Sequence, residues 1–199
     1  MGLAKATRLS EYGRCRAFGA EPGGYVRGEG GGVVVIKPLA DAMRDGDPIH
    51  AVICGSGTNA DGRTNGIALP SSTAQRSLIE ETMAKFEIDP ADIDFFEAHG
   101  TGTTVGDPAE CRAVGEAIGQ HRKPGTGPLP IGSAKSNIGH LEPASGMAGL
   151  IKTVMAIKHR AVPATLHATP LNPNRLLYTS DAADHPLCVH PGAPRSHQQ

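Results

Sequence analysis

Tryptophan is absent from this sequence, and aromatic residues make up only 4% of it. Burial must therefore come from aliphatic side chains and not from stacked rings. Neither charge sign dominates: 19 Lys and Arg face 20 Asp and Glu, a formal net charge of -1. That balance implies no polyanion partner, so nucleic acid is not expected. No apolar run approaches about 18 residues, so no membrane-spanning helix is expected. Met1–Ser10 lacks the apolar centre of a secretory signal. The chain reads as cytoplasmic. Its four cysteines, Cys15, Cys54, Cys111 and Cys188, form no CxxC pair, which argues against a zinc knuckle or a redox motif. They are expected as free thiols, with Cys54 and Cys111 small and buried.

What is plentiful is glycine, 26 of 199 residues, clustered at corners between apolar runs. The length fits one domain or one large piece of one. Val33–Ile36 and Ile49–Cys54 are β-branched or apolar runs that predict strands, antiparallel to each other across a short helix over 39–44. Residues 55–70 form a long loop. Ser71 or Ser72 caps a helix running to about Phe86, with Leu78, Ile79, Met83 and Phe86 on one face. Ile93–Glu97 predicts a strand. Asp107-Pro108-Ala109-Glu110 predicts a helix start, with Asp107 as cap and the helix ending near Gly119. A strand over 129–133, a helix from Pro143 to about Lys158 and a strand over 161–166 follow. In that last helix Leu150, Ile151, Val154 and Ile157 are apolar, and Gly146 and Gly149 suggest close packing. Alternation of this kind implies an α/β layered fold with a partly parallel sheet.

Two corners share one plan: an apolar strand, a glycine-rich turn with a histidine, then a helix. The first carries His99 in Glu97-Ala98-His99-Gly100-Thr101-Gly102-Thr103. The second carries His140 in Ser133-Ala134-Lys135-Ser136-Asn137-Ile138-Gly139-His140-Leu141-Glu142. Ligands in open α/β sheets sit at the carboxyl ends of strands, so both histidines can reach one site. Uncharged Thr101 and Thr103 suit a neutral, amide-bearing ligand arm. Lys135 disfavours a charged His140, and Glu142 does the opposite. Such a histidine pair can donate hydrogen bonds to a developing oxyanion.

Other motifs fail on inspection. Gly28–Gly32 precedes a strand and not a helix, so it lacks the helix N-terminus that a phosphate loop needs. Gly127–Gly132 has P-loop glycine spacing, but the Gly-Lys-Ser/Thr is missing and prolines remove donors. His185, His190 and His197 have no helical register and no carboxylate among them, so no metal site is expected.

The two corner motifs, with Gly106-Asp107-Pro108, Gly13-Arg14-Cys15-Arg16-Ala17-Phe18, Gly24-Tyr25-Val26-Arg27-Gly28-Glu29-Gly30 and Asn59-Ala60-Asp61-Gly62-Arg63, resemble β-ketoacyl synthases. The likeness is to the ketosynthase domains of modular type I polyketide synthases, and it spans about residues 8 to 174. It implies a thiolase-like layered αβαβα fold and a homodimer. It implies decarboxylative Claisen condensation in polyketide or fatty acid biosynthesis. A malonyl-type unit would arrive on the phosphopantetheine of an acyl carrier protein, and no bound cofactor is implied. His99 and His140 would hold the malonyl thioester and stabilise its enolate, Lys135 would support them with Glu142, and Thr101 and Thr103 would line the pantetheine tunnel.

The family's nucleophilic cysteine lies in a small-residue motif that precedes the region matching residue 8, and none of the four cysteines matches it. The chain is therefore expected to be a fragment: the end of the first half and most of the second. An alternative is a non-catalytic ketosynthase-like scaffold or partner subunit. Residues 1–175 are expected to be the partial ketosynthase domain. From Leu176 the family pattern stops, so 176–199 is expected to be a frameshift, a junction or an unrelated fusion, without order.

Overall fold

The computed structural model describes residues 9–21, 23–66 and 69–172; the tail over 176–199, its three histidines and Cys188 lie outside the described residues. The element order is α1 (Leu39–Asp45), α2 (Ser72–Lys85), β1 (Phe96–Glu97), α3 (Gly106–Ala117), β2 (Ile131–Gly132), α4 (Lys135–Ile138) and α5 (Ser145–His159). Single 3₁₀ turns at Pro90–Asp92, Gly119–His121 and Glu142–Ala144 join them.

β1 and β2 pair in parallel, Phe96 against Ile131 and Glu97 against Gly132. The pair sorts its neighbours by the two-residue period of a strand. Phe96 and Ile131 face α3: Ile131 packs with Cys111, and Phe96 also touches the cluster of Met83, Val114, Ala117, Ile118 and Leu129 between α2 and α3. Glu97 and Gly132 face α5, through Lys152 and Gly149. Helices thus cover both faces of the pair, as a parallel sheet requires. Phe18, with 1% of its surface exposed, packs with Ala98 and Ile131 and ties the 15–19 segment to the same core.

Several helices follow their local chemistry. α2 starts where the Ser71 side chain accepts from the Ala74 N–H, a cap worth about 1 kcal/mol. α1 matches the expected 39–44 helix and ends on Gly46 in the left-handed region.

Other expectations need correction. Val33–Ile36, Ile49–Cys54 and residues 161–166 form no strand; among the described residues the ladder is β1–β2 alone. A strand exists only with a neighbour to take its backbone N–H and C=O groups. Here Val33 is 90% exposed and Val35 96%. The two runs are linked through α1 by Lys37, which pairs with Asp45 and Asp47 at 2.6 and 2.5 Å, and not by a ladder. Cys54 lies in the second run and is exposed, whereas Cys111 is buried as expected. β1 and β2 are each two residues long, shorter than the apolar runs around them. Pro143 falls in the 3₁₀ turn before α5 and not in the helix itself. On α5, Leu150 and Val154 are half-buried, but Ile151 and Ile157 are exposed. Close packing holds at Gly149 but not at Gly146, which has open space around it.

These burials set a contrast. Ile131→Ala, at 2% exposure, should cost about 2–5 kcal/mol in urea unfolding of the 199-residue chain, whereas Val35→Ala should stay within about 0.5 kcal/mol. A large loss at Val35 would mean that the run is buried after all.

Candidate active site

The first corner is held by two carboxylates from the first turns of α3. Asp107 does not cap the helix as expected: Val105 occupies the cap position, with no side-chain cap bond. The Asp107 carboxylate instead accepts backbone N–H bonds from Phe18 at 2.8 Å, Gly102 at 3.1 Å and Thr103 at 3.3 Å. Burial pushes its pKa up, against those bonds. One turn on, Glu110 accepts from the N–H groups of His99 at 2.7 Å and Gly100 at 2.9 Å. Burial pushes the Glu110 carboxyl up to about 7, with the two N–H bonds pulling the other way. Gly100 has φ 41°, and a Cβ there would sit 2.7 Å from Ser133 Cβ. Only glycine lets this corner lie against the second one.

The second corner follows β2. Ser133 is fully buried, and its hydroxyl donates to the Gly100 carbonyl at 3.0 Å, joining the corners directly. α4, which the sequence did not suggest, then turns the chain to Gly139 and His140. A third segment clamps His140: the His140 N–H donates to the Val26 carbonyl at 2.7 Å, and the Gly28 N–H donates to the His140 carbonyl at 2.9 Å.

The two imidazoles meet edge to face, with centroids 5.3 Å apart. The Tyr25 ring is tilted against that of His140, with centroids 5.1 Å apart. His140 Nδ1 accepts the Glu142 N–H at 3.0 Å and lies 2.8 Å from Ser145 Oγ. An accepting Nδ1 leaves the proton of the neutral ring on Nε2, which makes Nε2–H a donor. His99 is lowered to about 4, first by loss of water around the ring, then by the positive charge of Lys135 and by His140. The residue as a whole is exposed, and it lines a cavity. Desolvation and Lys135 lower His140 as well, with Glu142 opposing them. Both rings are therefore neutral at pH 7. Lys135 is 7% exposed and its pKa is lowered by burial, which Glu110 and Glu97 oppose.

A cavity of about 690 Å³ opens on this pair, lined by His99, His140, Thr101, Thr103, Tyr25 and Glu110, with an apolar wall from α2 and α3. The hydroxyls of Thr101 and Thr103 lie 3.1 Å apart. Glu142, at φ 54°, is directed to Arg27, 3.0 Å from its Nε, in a charge contact and not a directed hydrogen bond. Cys15 is buried beside the site, and burial raises its thiol; such a thiol is a poor nucleophile. Among the described residues, no group of three or more His, Cys, Asp or Glu is placed to hold a metal ion, and no helix is long and apolar enough to cross a membrane.

Sequence reasoning assigned no site role to Asp107, Glu110, Tyr25 or Ser133. Glu110 was legible as a helix-start acid three residues after Asp107. That both acids reach back to the histidine turn is a tertiary fact without a local signal.

Two imidazoles thus meet beyond the ends of a parallel strand pair, over a hydroxyl-lined cavity. The family model for the β-ketoacyl synthase C-terminal domain matches residues 50–169, and that for the N-terminal domain matches residues 1–42. The chain belongs to the β-ketoacyl synthase family. It is 45% identical over 196 residues to a phenolphthiocerol/phthiocerol polyketide synthase of Mycobacterium tuberculosis, covering 96% of this chain and 10% of that protein. It is 45% identical over 170 residues to 5-methyl-1-naphthoate synthase of Streptomyces sahachiroi, covering 85% of this chain and 10% of that one. Among solved structures, the ketosynthase from module 6 of the bacillaene synthase of Bacillus subtilis matches at TM-score 0.83 and 40% identity, covering 87% of this chain and 31% of that one. The fold is thus the thiolase-like fold of ketosynthase domains, of which this chain spans about a third.

The pKa directions give a pH signature. His99, depressed to about 4, contributes stability above its ordinary 6.5 that is lost as pH falls toward 4. Glu110, raised from 4.5 to about 7, contributes stability at low pH that is lost as pH rises toward 7. Between pH 4.5 and 6.5 the two oppose each other. Glu110→Gln removes one side of this balance, so its melting temperature should rise with pH across that window more steeply than wild type. Parallel curves would contradict the assignment.

Proposed function

We propose that this chain is part of a β-ketoacyl synthase that performs decarboxylative Claisen condensation in polyketide biosynthesis. The observation that carries the reading is the pair of imidazoles 5.3 Å apart, with His140 Nδ1 accepting a backbone N–H so that the neutral ring carries its proton on Nε2. In the reaction, the bond between the malonyl α-carbon and its carboxylate breaks and releases CO₂. The electron pair passes into the thioester as an enolate. Hydrogen bonds from His99 and His140 to the thioester oxygen stabilise it. The α-carbon then attacks the acyl thioester carbonyl on a cysteine supplied outside this chain, and the cysteine thiolate leaves.

The roles within the site follow from the geometry. The enolate carries negative charge, so donors fixed beforehand stabilise it more than donors that must reorganise. Lys135 biases both rings toward neutrality and adds positive potential near the enolate. Thr101 and Thr103 present uncharged hydroxyls to the arm that brings the malonyl unit, which we take to be the phosphopantetheine of an acyl carrier protein. Glu142 acts on Arg27 and His140 and not directly on Lys135. We take a homodimer and a carrier-protein partner from the likeness to polyketide synthases, and the reduced thiols Cys15 and Cys54 are consistent with the cytoplasm. Residues 1–175 would form the ketosynthase part, in keeping with family matches that end at residue 169.

In the longer protein that contains the cysteine, His99→Ala and His140→Ala should each lower condensation by about 10²–10³, with cysteine acylation less affected in His99→Ala. Normal turnover in either variant would refute the reading. Alone, the 199-residue chain should take no stable acyl label from an acyl thioester, as read by intact-mass spectrometry; a thioester on Cys15, Cys54, Cys111 or Cys188 would contradict this.

A further inference from the structure

Beneath the two corners, on the face of the strand pair turned toward α5, lies an ion pair that the mechanism above does not use. Glu97 ends β1, two residues before His99. One carboxylate oxygen accepts the backbone N–H of Ala134, the residue before Lys135, at 2.6 Å. The other meets Lys152 Nζ, from the middle of α5, at 2.6 Å. The side chains are only 10% and 16% exposed. The slot they fill is shaped for them. A Cβ at Gly149 would come within 3.3 Å of Glu97 Cγ, and one at Gly132 within 3.1 Å of Lys152 Nζ. The Phe95 ring lies 5.4 Å from the same ammonium. One carboxylate therefore ties together the strand that ends at His99, the turn that opens onto Lys135, and the helix that follows His140.

We propose that Glu97 and Lys152 are positioning residues for the two-histidine site, acting through Lys135 and His99; this rests on the decarboxylative reading above. Lys135 must hold a buried ammonium at a fixed place. Its only covalent leash is the Ala134–Ser136 backbone, and Glu97 holds the start of that leash. Lys152 fixes the carboxylate in turn. Loss of a buried partner leaves an uncompensated charge that seeks a new position. The carboxylate then swings away from Ala134, and Lys135 moves relative to both rings. Misplacement of a catalytic group by about 1 Å can cost 10²-fold in rate.

The test uses the longer, cysteine-containing protein and malonyl-thioester decarboxylation, with Glu97→Gln, Lys152→Met, Lys152→Arg and, as control, His140→Ala. Glu97→Gln and Lys152→Met should each lower kcat by about tenfold with KM within about twofold, and Lys152→Arg should recover most of the loss. The alkaline limb of the pH profile reports Lys135, whose charged or titratable neighbours are Glu110, Glu97, Cys15, Asp107, His99 and His140. Glu97→Gln removes a charge that raises the Lys135 pKa, so the limb should move to lower pH. Lys152→Met lets the same carboxylate swing away, so the limb should again move to lower pH. A scaffold role would lower the melting temperature without moving the limb. Unchanged kcat and limb, or an effect confined to KM, overturns the proposal. Should Glu97→Gln not fold, the comparison of Lys152→Met with Lys152→Arg decides on the same two readouts. If His140→Ala keeps full decarboxylation, the functional reading itself fails; if it is inactive while the pair variants behave as wild type, only this proposal fails.

Discussion

Everything at this site depends on the parallel pairing of Phe96–Glu97 with Ile131–Gly132. Parallel neighbours point the same way, so the turns that leave them lie side by side. The Ala98 N–H extends the ladder to the Gly132 carbonyl at 2.8 Å, and the Ser133 hydroxyl bridges to Gly100 just beyond. With that register fixed, His99 and His140 meet although 41 positions separate them in sequence. A shift by one residue would swap the faces of Phe96 and Glu97 and separate the rings.

The charges around the pair divide into two sets. Asp107 and Glu110 sit on the α3 side and hold backbone N–H groups of the first corner. Glu97 and Lys152 sit on the α5 side and hold the second. Lys135 stands between the sets, buried and influenced by members of both. The imidazoles are thus kept neutral by desolvation and one nearby cation, while the acids close by are engaged with backbone donors. A donor pair prepared in this way needs little reorganisation when negative charge develops.

Much of this was legible in the sequence because it is local. The Ser71 cap, the helix over 72–85 and the glycine corners carrying His99 and His140 all follow from residue chemistry within a few positions. What was not legible depends on neighbours far along the chain. Val33–Ile36 and Ile49–Cys54 have strand composition, yet a strand without a partner forms no ladder, and composition cannot supply the partner. Asp107 has the sequence context of a helix cap, but the N–H of Phe18, 89 positions away, joins those of nearby Gly102 and Thr103 in taking its carboxylate away. Glu142 lies near Lys135 in sequence and pairs with Arg27 in space. The 140–142 turn, with Glu142 at φ 54°, sends its carboxylate toward the 25–28 segment.

The central claim is that loss of water around the ring, and then Lys135, hold His99 neutral beside a donating His140. Titration of ¹³C-labelled imidazole carbons by NMR tests it most directly. The account predicts a His99 midpoint near 4, moving up toward 6.5 in Lys135→Met, and a His140 ring with its proton on Nε2 at pH 7. A His99 midpoint at the ordinary 6.5 that Lys135→Met leaves unmoved would contradict it.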